Sequence, residues 1–337
     1  MARSPESIDC DVLIIGAGIA GLTAARILRA AGRTVLVLEK SRGLGGRAAT
    51  RRWDGLPVDH GAQFFTARSA DFTAQVEEWS RRGVCFEWSR GFHRATRDGP
   101  QQADGDHFPR YACREGMAAL GRDLGGTDLS LVLRETKAVK IEHSSSAWEV
   151  STEDGRVFRS HALIVTPPPP QSAALLATAS PDAASLLHSL PMAPCLALVA
   201  RYPRRELAWR GIQAPSEQVV SWIGHDTSKR PKLHPNATVL VIHASAEFSS
   251  DHFDAGEETI ARRLLECAGH IAQSDLSAPQ SLMLQRWRYA LGAELGGKHA
   301  RVIPGPQPLV LAGDAIAGGK IEGAWLSGRA AAQTLLR

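Results

Sequence analysis

A glycine-rich turn near the amino terminus places the strongest constraint on the fold of this chain. An apolar run leads into Gly16, Gly18 and Gly21, and a second apolar run, Val35–Leu38, ends at Glu39. This spacing predicts a strand, a tight turn, a helix and a second strand, because glycine permits both a tight turn and a close approach of the backbone to a ligand. The segment therefore predicts a βαβ unit that binds a dinucleotide, with phosphates at the helix start and a ribose hydroxyl on Glu39. A purely structural α/β turn is the competing interpretation.

The length and apolar content predict a chain of two domains. The chain has 337 residues, of which 44% are hydrophobic, and a net charge of +4. This length exceeds what one core usually fills. Lysine and arginine are dispersed, with no basic run interleaved with aromatic residues, so we do not expect nucleic acid as a partner.

The sequence also carries no signal for a membrane or an oxidising compartment. No segment reaches the roughly 18 continuous apolar residues of a membrane helix, and the first ten residues lack the apolar core of a signal peptide. The five cysteines are widely spaced and form no CxxC pair, so we expect free thiols and no metal site. A cytoplasmic location is the resulting expectation.

The nucleotide-binding domain is predicted to use both ends of the chain. A second glycine-rich cluster, with Gly313 and Asp314, precedes a helical run at 324–336. The four prolines at 167–170 follow an apolar run and predict an exit from the domain, because proline has no backbone N–H to continue a ladder. We predict a discontinuous nucleotide domain of residues 1–80, 107–168 and 290–337. The remaining residues, 81–106 and 169–289, are predicted to form a substrate domain.

Within the predicted substrate domain, strand-like runs at 195–200, 219–223 and 238–243 indicate an antiparallel sheet. A helix is predicted from about 256 to 269. A further helix is predicted at 114–124, and residues 89–106 are predicted to form a hairpin or loop.

The loop after Glu39 bears on the choice between NAD and FAD. Paired glycines at 45 and 46 lie beside Arg47, which suits a loop pressed against phosphates with a bidentate arginine contact. Asp314 follows an apolar run, where an acid can hydrogen-bond the ribityl hydroxyls of a flavin. These elements, in this order, favour FAD over NAD. No histidine or cysteine is marked as an attachment site, so we expect non-covalent FAD.

Together these motifs resemble the flavin amine oxidase superfamily over nearly the whole chain, and shorter blocks resemble its renalase-like branch. Those blocks lie at 59–65, 166–171, 220–223, 228–229, 243–245 and 286–290. The resemblance implies an α/β fold of two domains, similar to p-hydroxybenzoate hydroxylase, with a Rossmann-type βαβ unit and an inserted antiparallel-sheet substrate domain. The residues that it implies near the FAD are Gly16, Gly18, Ile19, Ala20, Gly21, Glu39, Lys40, Arg47, Gly61, Ala62, Gln63, Val139, Gly313, Asp314, Glu322 and Ala324.

Five side chains are candidates for the substrate pocket: Gln63, Trp222, His243, Trp287 and Tyr289. Gln63 follows a Gly-Ala pair whose small size suits close approach to a flavin ring. The aromatic residues can stack on a flat substrate, although two aromatics on one strand face are also typical of a core. For His243, within an apolar strand, a buried structural histidine is the competing interpretation. No catalytic side chain is assigned, because the flavin carries the chemistry.

Lys229 lies in a predicted loop, where we expect a solvated surface charge. The amine oxidases of the superfamily add an aromatic cage and a lysine that holds water beside the flavin. Neither feature can be placed in this sequence. Only three tyrosines are present, so a cage of paired tyrosines is not expected, although tryptophan can take the place of tyrosine.

Three functions remain open. The renalase-like resemblance implies an oxidase that takes a hydride from 2- or 6-dihydro isomers of NAD(P)H and passes electrons to O2, giving NAD(P)+ and H2O2. A flavin-dependent amine oxidase or a carotenoid-type desaturase is the second. The third, from another class, is a non-catalytic binding protein similar to the Rab GDP-dissociation inhibitors, against which the intact Gly16, Glu39, Arg47 and Asp314 argue.

Overall fold

The computed structural model describes residues 7–103, 108–128, 130–144, 146–233, 235–292 and 299–337. The strands are β1 Ser7–Ile15, β2 Val35–Leu38, β3 Thr50–Trp53, β4 Leu56–Asp59, β5 Phe86–Arg90, β6 His93–Thr96, β7 Gly99–Gln102, β8 Pro109–Ala112, β9 Val132–Leu133, β10 Ala138–His143, β11 Trp148–Thr152, β12 Val157–Val165, β13 Met192–Pro203, β14 Gly211–Gln213, β15 Val220–His225, β16 Ala237–Ala244, β17 Ser281–Gly292, β18 Arg301–Ile303 and β19 Leu309–Leu311. The α-helices are α1 Ile19–Ala30, α2 Ala70–Arg81, α3 Ala119–Gly125, α4 Pro169–Leu176, α5 Pro181–His188, α6 Ala246–Asp251, α7 Glu257–Ala272 and α8 Lys320–Leu335. Short 3₁₀ helices lie at Asp226–Lys229 and Asp314–Ile316.

The first compact unit, within residues 1–48, 118–192 and 292–337, is built on a parallel sheet. Its parallel strands run in the order β9-β2-β1-β12-β19, and β10 and β11 extend it in antiparallel fashion from β12. Leu13, Ile14 and Leu163 on the central strands are fully buried, as expected for a parallel sheet covered on both faces. The predicted strand–turn–helix–strand unit at the amino terminus is confirmed.

The second compact unit, within residues 49–117 and 193–291, contains a seven-stranded, mostly antiparallel sheet in the order β17-β13-β16-β15-β14-β6-β7. On one face, Ile223 and Ile242 pack with Ile260 and Leu264 of α7. The opposite face is lined in part by Val199 and other valines. Alternate residues of each strand therefore point to α7 and away from it.

The predicted strands of this sheet are confirmed in β13, β15 and β16, and the predicted helix is α7. The hairpin predicted at 89–106 is formed by β6 and β7, as far as its residues are described. Two helix starts differ from the prediction: α3 begins at Ala119 because residues 114–118 form turns, and α8 begins at Lys320 rather than at 324.

The predicted domain boundaries differ from the two compact units. Residues 49–80 and 107–117 lie in the second unit, and residues 169–192 lie in the first. The proline run does not leave the first unit: Pro168 caps α4 and Pro169 occupies its first turn, where a missing N–H costs nothing. Helices α4 and α5 then bury Leu176 and Leu187 in the core of that unit. Parts of the predicted domains, at 1–6, 104–107, 129, 145, 234 and 293–298, lie outside the described residues.

In the part of the chain that the structure describes, no α-helix combines the length and the apolar character needed to cross a membrane.

Candidate functional site

The start of α1 forms an anion-binding cradle in the first unit. Gly16 has a φ of +99°, a conformation that favours glycine, and a Cβ on Gly21 would lie 2.0 Å from the Gly16 carbonyl oxygen. Gly18 precedes the helix with extended backbone, and no side chain caps the first N–H groups of the helix. A Cβ on Gly18 would meet nothing within 4 Å. The helix start is therefore open to a phosphate.

The acid at the end of β2 is held beside this cradle. Glu39 is buried, and its carboxylate accepts hydrogen bonds from the Ala17 N–H and the Ser41 N–H, each at 2.8 Å. The following loop closes on the helix start, because the Gly45 N–H donates to the Ala17 carbonyl at 2.8 Å. The position predicted for a ribose contact is thus occupied by an oriented carboxylate.

Arg47 and Asp314 form an ion pair with each other, within the first unit. Asp314 follows Gly313, whose φ is +142° and whose N–H donates to the Ser327 hydroxyl at 2.8 Å. The sequence predicted separate cofactor contacts for the two charged residues, and the structure brings them together. Helix α8 begins shortly after them, with no side-chain cap.

The remaining predicted cofactor residues are more scattered. Of the sixteen, the three at 61–63 lie in the second unit and the others in the first. Glu322 is in the first turn of α8, and Ala324 is in the same helix. Lys40 is exposed and donates to the Gln171 side chain at 3.1 Å, and Val139 is 46% exposed on β10.

Four predicted pocket residues share one face of the sheet in the second unit. Trp222 and His243 are direct partners in β15 and β16, so they point to the same side. On β17, Met283 packs against the valines on the face of the sheet that points away from α7. Because side chains alternate along a strand, Trp287 and Tyr289 lie on the same face as Met283. We call this surface, together with Gln63 and His60 of the loop after β4, the site face.

The loop after β4 is fastened to the site face through Trp287. The indole Nε1 of Trp287 donates to the His60 carbonyl at 2.9 Å, and the two rings stack with centroids 5.4 Å apart. Sequence reasoning missed His60 as a pocket residue. Its place in the 59–65 block was the available signal.

Two glycines allow the Trp222 indole to lie flat on the sheet. A Cβ on Gly211 would lie 2.2 Å from a ring carbon of Trp222, and a Cβ on Gly224 would lie 2.8 Å from its Nε1. The indole then packs against Phe92, with centroids 4.8 Å apart. Any larger residue at either glycine would displace the ring.

Three buried nitrogen atoms of the site face have no hydrogen-bond partner: Trp222 Nε1, His60 Nδ1 and His243 Nε2. Burial lowers the pKa of His60 to about 4, and burial together with the charge of Lys229 lowers the pKa of His243 to about 4. Both rings are therefore neutral at pH 7. An unsatisfied buried polar group costs about 1–3 kcal/mol, so three of them on one surface favour a polar ligand there.

The prediction of a solvated Lys229 is wrong. Its side chain is fully buried, and the ammonium donates to Asp59 at 3.2 Å, Asp226 at 3.0 Å and Gln63 Oε1 at 3.3 Å. Arg230 also pairs with both aspartates and is buried with them. We call these four ionic residues, Asp59, Asp226, Lys229 and Arg230, the charge cluster. Two negative and two positive charges balance within it.

The charge cluster holds Asp59 ionised. Burial alone would raise the pKa of Asp59, but the charges of Lys229 and Arg230, with hydrogen bonds from Arg230 and Thr50, lower it to about 2. The Met117 N–H donates to the same carboxylate at 2.8 Å. The spacing of Asp226, Lys229 and Arg230 at i, i+3 and i+4 was a signal for this pairing.

Comparison with known proteins identifies the family. A model described as flavin containing amine oxidoreductase matches residues 81–336, and a model described as NAD(P)-binding Rossmann-like domain matches residues 14–78. The first match covers more than half of the chain. The chain belongs to the flavin containing amine oxidoreductase family. FAD is accordingly its cofactor, and the open cradle at Gly18 fits the phosphates of such a group.

Individual members and solved structures agree with this family. Putrescine oxidase of Kocuria rosea is 44% identical over 75 residues, which are 22% of this chain and only 16% of that relative. The structure of a putrescine oxidase bound to putrescine is 15% identical, with a TM-score of 0.76 over 98% of this chain and 100% of that chain. Cyclohexylamine oxidase of Brevibacterium oxydans is 16% identical, with a TM-score of 0.75 over 98% and 100% of the two chains. At these identities the structures show a shared fold.

Family membership decides between the classes left open by the sequence. The protein is an FAD-dependent oxidoreductase, as predicted, and the non-catalytic alternative is set aside. The predicted α/β fold of two domains, with a Rossmann-type βαβ unit, is confirmed.

Proposed function

We propose that this flavoprotein oxidises a neutral, flat ring donor, of which the 2- and 6-dihydro isomers of NAD(P)H are the leading examples. The observation that carries the proposal is the neutrality of the site face. Its aromatic groups are two tryptophans, a tyrosine and two histidines, and the pKa of His60 and His243 lies at about 4. The buried aspartates beside it are balanced by Lys229 and Arg230.

Such a surface suits a ring better than an ammonium ion. Ammonium groups are usually held by a carboxylate or by the faces of an aromatic cage. The Tyr202 hydroxyl is buried and donates to the Leu276 carbonyl, and Tyr111 stacks on Phe65 in the small β5–β8 sheet. Among the described residues, Tyr202 and Tyr111 therefore lie away from the site face, and no pair of tyrosines forms a cage there.

Bound FAD supplies hydride acceptance and the later transfer of two electrons to O2. The protein would position the donor: Trp287 offers a stacking face, and the Trp222 N–H can donate to a polar ring substituent. Neutral His60 and His243 add no positive charge to oppose the cationic ring that forms. Aromatisation drives the step, so no general base is required. The overall reaction consumes the dihydro isomer, O2 and one proton, and it yields NAD(P)+ and H2O2.

An amine is the second candidate donor. It is favoured by the similarity to putrescine oxidase and by the family description. In that case the amine would have to meet the site face in its uncharged form.

An anaerobic titration of the bound flavin separates the two. Ordinary NADH, the 2- and 6-dihydro isomers, and a panel of primary and secondary amines are added separately while the visible absorption is followed. The proposal predicts fast bleaching by the isomers and recovery of colour in air. Bleaching by an amine, with no response to the isomers, would assign the protein to the amine oxidases and overturn the proposal.

A further inference from the structure

The charge cluster joins two segments that are distant in the sequence. Asp59 ends β4 and begins the loop at 59–63, whereas Asp226, Lys229 and Arg230 lie in and beside the 3₁₀ turn after β15. Ionic contacts span this separation of about 170 residues along the chain: Lys229 and Arg230 both reach the Asp59 carboxylate. The Asp59 N–H also approaches Asp226 at 3.4 Å. The turn therefore fixes the base of the loop.

Gln63 carries this constraint to the end of the loop. Its Oε1 accepts from Lys229, and its Nε2 donates to the backbone carbonyls of Asp59 and Gly61. Both hydrogens of the Gln63 amide are thus used within the loop. The positive charge of Lys229 requires that the amide oxygen, and not the NH2 group, point towards it. Without that charge, the amide could rotate by half a turn or leave the loop.

Lys229 itself has no free donor for a substrate or a water. Its three hydrogens are directed to Asp59, Asp226 and Gln63, and the ammonium lies 5.0 Å from the centre of the Trp88 ring. Because all three donors of Lys229 are used, the side chain can affect the site face only by holding its hydrogen-bond partners in place and through its charge.

We propose that Lys229 is a positioning residue, which acts through Gln63 and Asp59 to hold the 59–63 loop, with His60, in one arrangement on the site face. The proposal rests on the place near the FAD that the resemblance to the flavin amine oxidases implies for residues 61–63 of this loop. The same loop presents His60 to Trp287, so its displacement would change both the flavin surroundings and the stacking pair.

The first test is Lys229→Met, with the exposed Lys232→Met as matched control on the same segment. The measurement is the visible circular dichroism of the bound flavin, which needs no donor, followed by the rate of flavin reduction. We expect Lys229→Met to alter the flavin spectrum and to slow reduction roughly 10- to 100-fold, as expected for a misplaced group in an active site. Lys232→Met should match the wild type in both.

The second test separates position from stability. The double variant Asp226→Asn/Lys229→Met restores the charge balance of the cluster, so its thermal midpoint should recover most of the loss in Lys229→Met. Its flavin spectrum should remain altered, because Gln63 is still unanchored. Gln63→Met leaves all four ionic groups in place and should reproduce the altered spectrum with little loss of thermal midpoint.

A pH series gives a further signature. Without Lys229 the pKa of Asp59 should rise, so the variant takes up a proton that relieves its unbalanced negative charge. Its deficit in thermal midpoint against the wild type should therefore be smaller at pH 5 than at pH 8. The other charged or titratable groups around Asp59, which can also change the pH dependence, are Asp226, Arg230, His60, His243 and Cys113.

A purely structural role predicts other results. An unchanged flavin spectrum and rate in Lys229→Met or Gln63→Met would overturn the proposal, as would recovery of the spectrum together with the midpoint in the double variant. The flavin spectrum and the thermal midpoint need no donor, and the rate can be measured with any compound that reduces the flavin. Failure of every dihydro isomer to reduce the wild-type flavin would therefore count against the proposed function alone.

Discussion

At the residue scale, the cofactor cradle depends on glycines with different duties. Gly16 supplies a positive φ, Gly21 lets α1 lie on the preceding turn, and Gly18 leaves open space where a side chain would point. These roles are local, because they depend on the backbone conformation of each glycine and on contacts between residues that are close in the sequence. For this reason the cradle could be predicted from the sequence.

Gly18→Ala tests whether the open space is a ligand site. The new methyl group meets no protein atom but would fill the approach to the helix start, so FAD affinity should fall at least tenfold while the apoprotein keeps nearly the same thermal midpoint. The matched control is Gly256→Ala, because Gly256 also precedes a helix without a side-chain cap and also faces open space. Equal FAD affinity in the two variants would contradict the assignment.

Trp222→Phe tests the unpaired indole nitrogen. The ring surface is largely kept, and the buried N–H is lost. Removing an unsatisfied donor should leave stability unchanged or slightly higher, but a ligand that accepts from that N–H should bind roughly 5- to 10-fold more weakly, as for the loss of one hydrogen bond of about 1 kcal/mol. The dissociation constant of NAD+ from the oxidised holoenzyme, followed by flavin absorption, is the measurement. Unchanged affinity would remove Trp222 from the proposed site.

At the element scale, the differences from the sequence predictions have physical causes. The proline run was interpreted as a domain exit, yet proline is equally suited to the first turn of a helix, and α4 begins there. Lys229 was interpreted as a surface charge because it lies in a predicted loop, and only one of its two carboxylate partners, Asp226, is near it in the sequence. The strands that were predicted, β1, β2, β13, β15 and β16, are present in the structure, because their hydrophobic pattern depends on near neighbours.

Gly211→Ala tests how the paired strands β14 and β15 shape the site face. The added Cβ would lie 2.2 Å from the Trp222 ring, so the indole must rise from the sheet. We expect altered tryptophan fluorescence and slower reduction of the flavin by its donor. FAD affinity should stay at the wild-type level, since the cradle belongs to the first unit. A loss of FAD binding, with fluorescence unchanged, would contradict this interpretation.

At the scale of the whole molecule, acid should destabilise the fold through its buried and half-buried histidines. The pKa of His60 and of His243 is lowered to about 4, and that of His93 and His225 is also lowered by burial. The unfolded chain therefore binds protons below its pKa of 6.5 that the native protein does not bind. Their contribution to stability is complete above that pKa and is lost as the pH falls towards 4.

Between pH 7 and pH 5 the free energy of unfolding should fall by at most about 2 kcal/mol for each of His60 and His243. Urea unfolding of the apoprotein at both pH values measures it. His243→Asn should reduce the slope of stability against pH. A slope that is unaffected by substitution at both histidines would show that they are not neutral in the native protein.

The attachment of the cofactor can be checked on the same material. Acid precipitation should release all of the FAD into the supernatant, because no covalent link is expected. Flavin that stays with the precipitated protein would contradict this prediction.

The most direct test of the proposed oxidation uses a dihydro isomer that carries deuterium at the ring carbon that donates the hydride. Flavin reduction is followed in an air-free stopped-flow instrument, and O2 is then admitted. The proposed function predicts a clearly slower reduction by the deuterated isomer, followed by one H2O2 and one NAD(P)+ for each isomer consumed. An equal rate for both isotopes with no NAD(P)+ formed, or reduction by an amine alone, would contradict it.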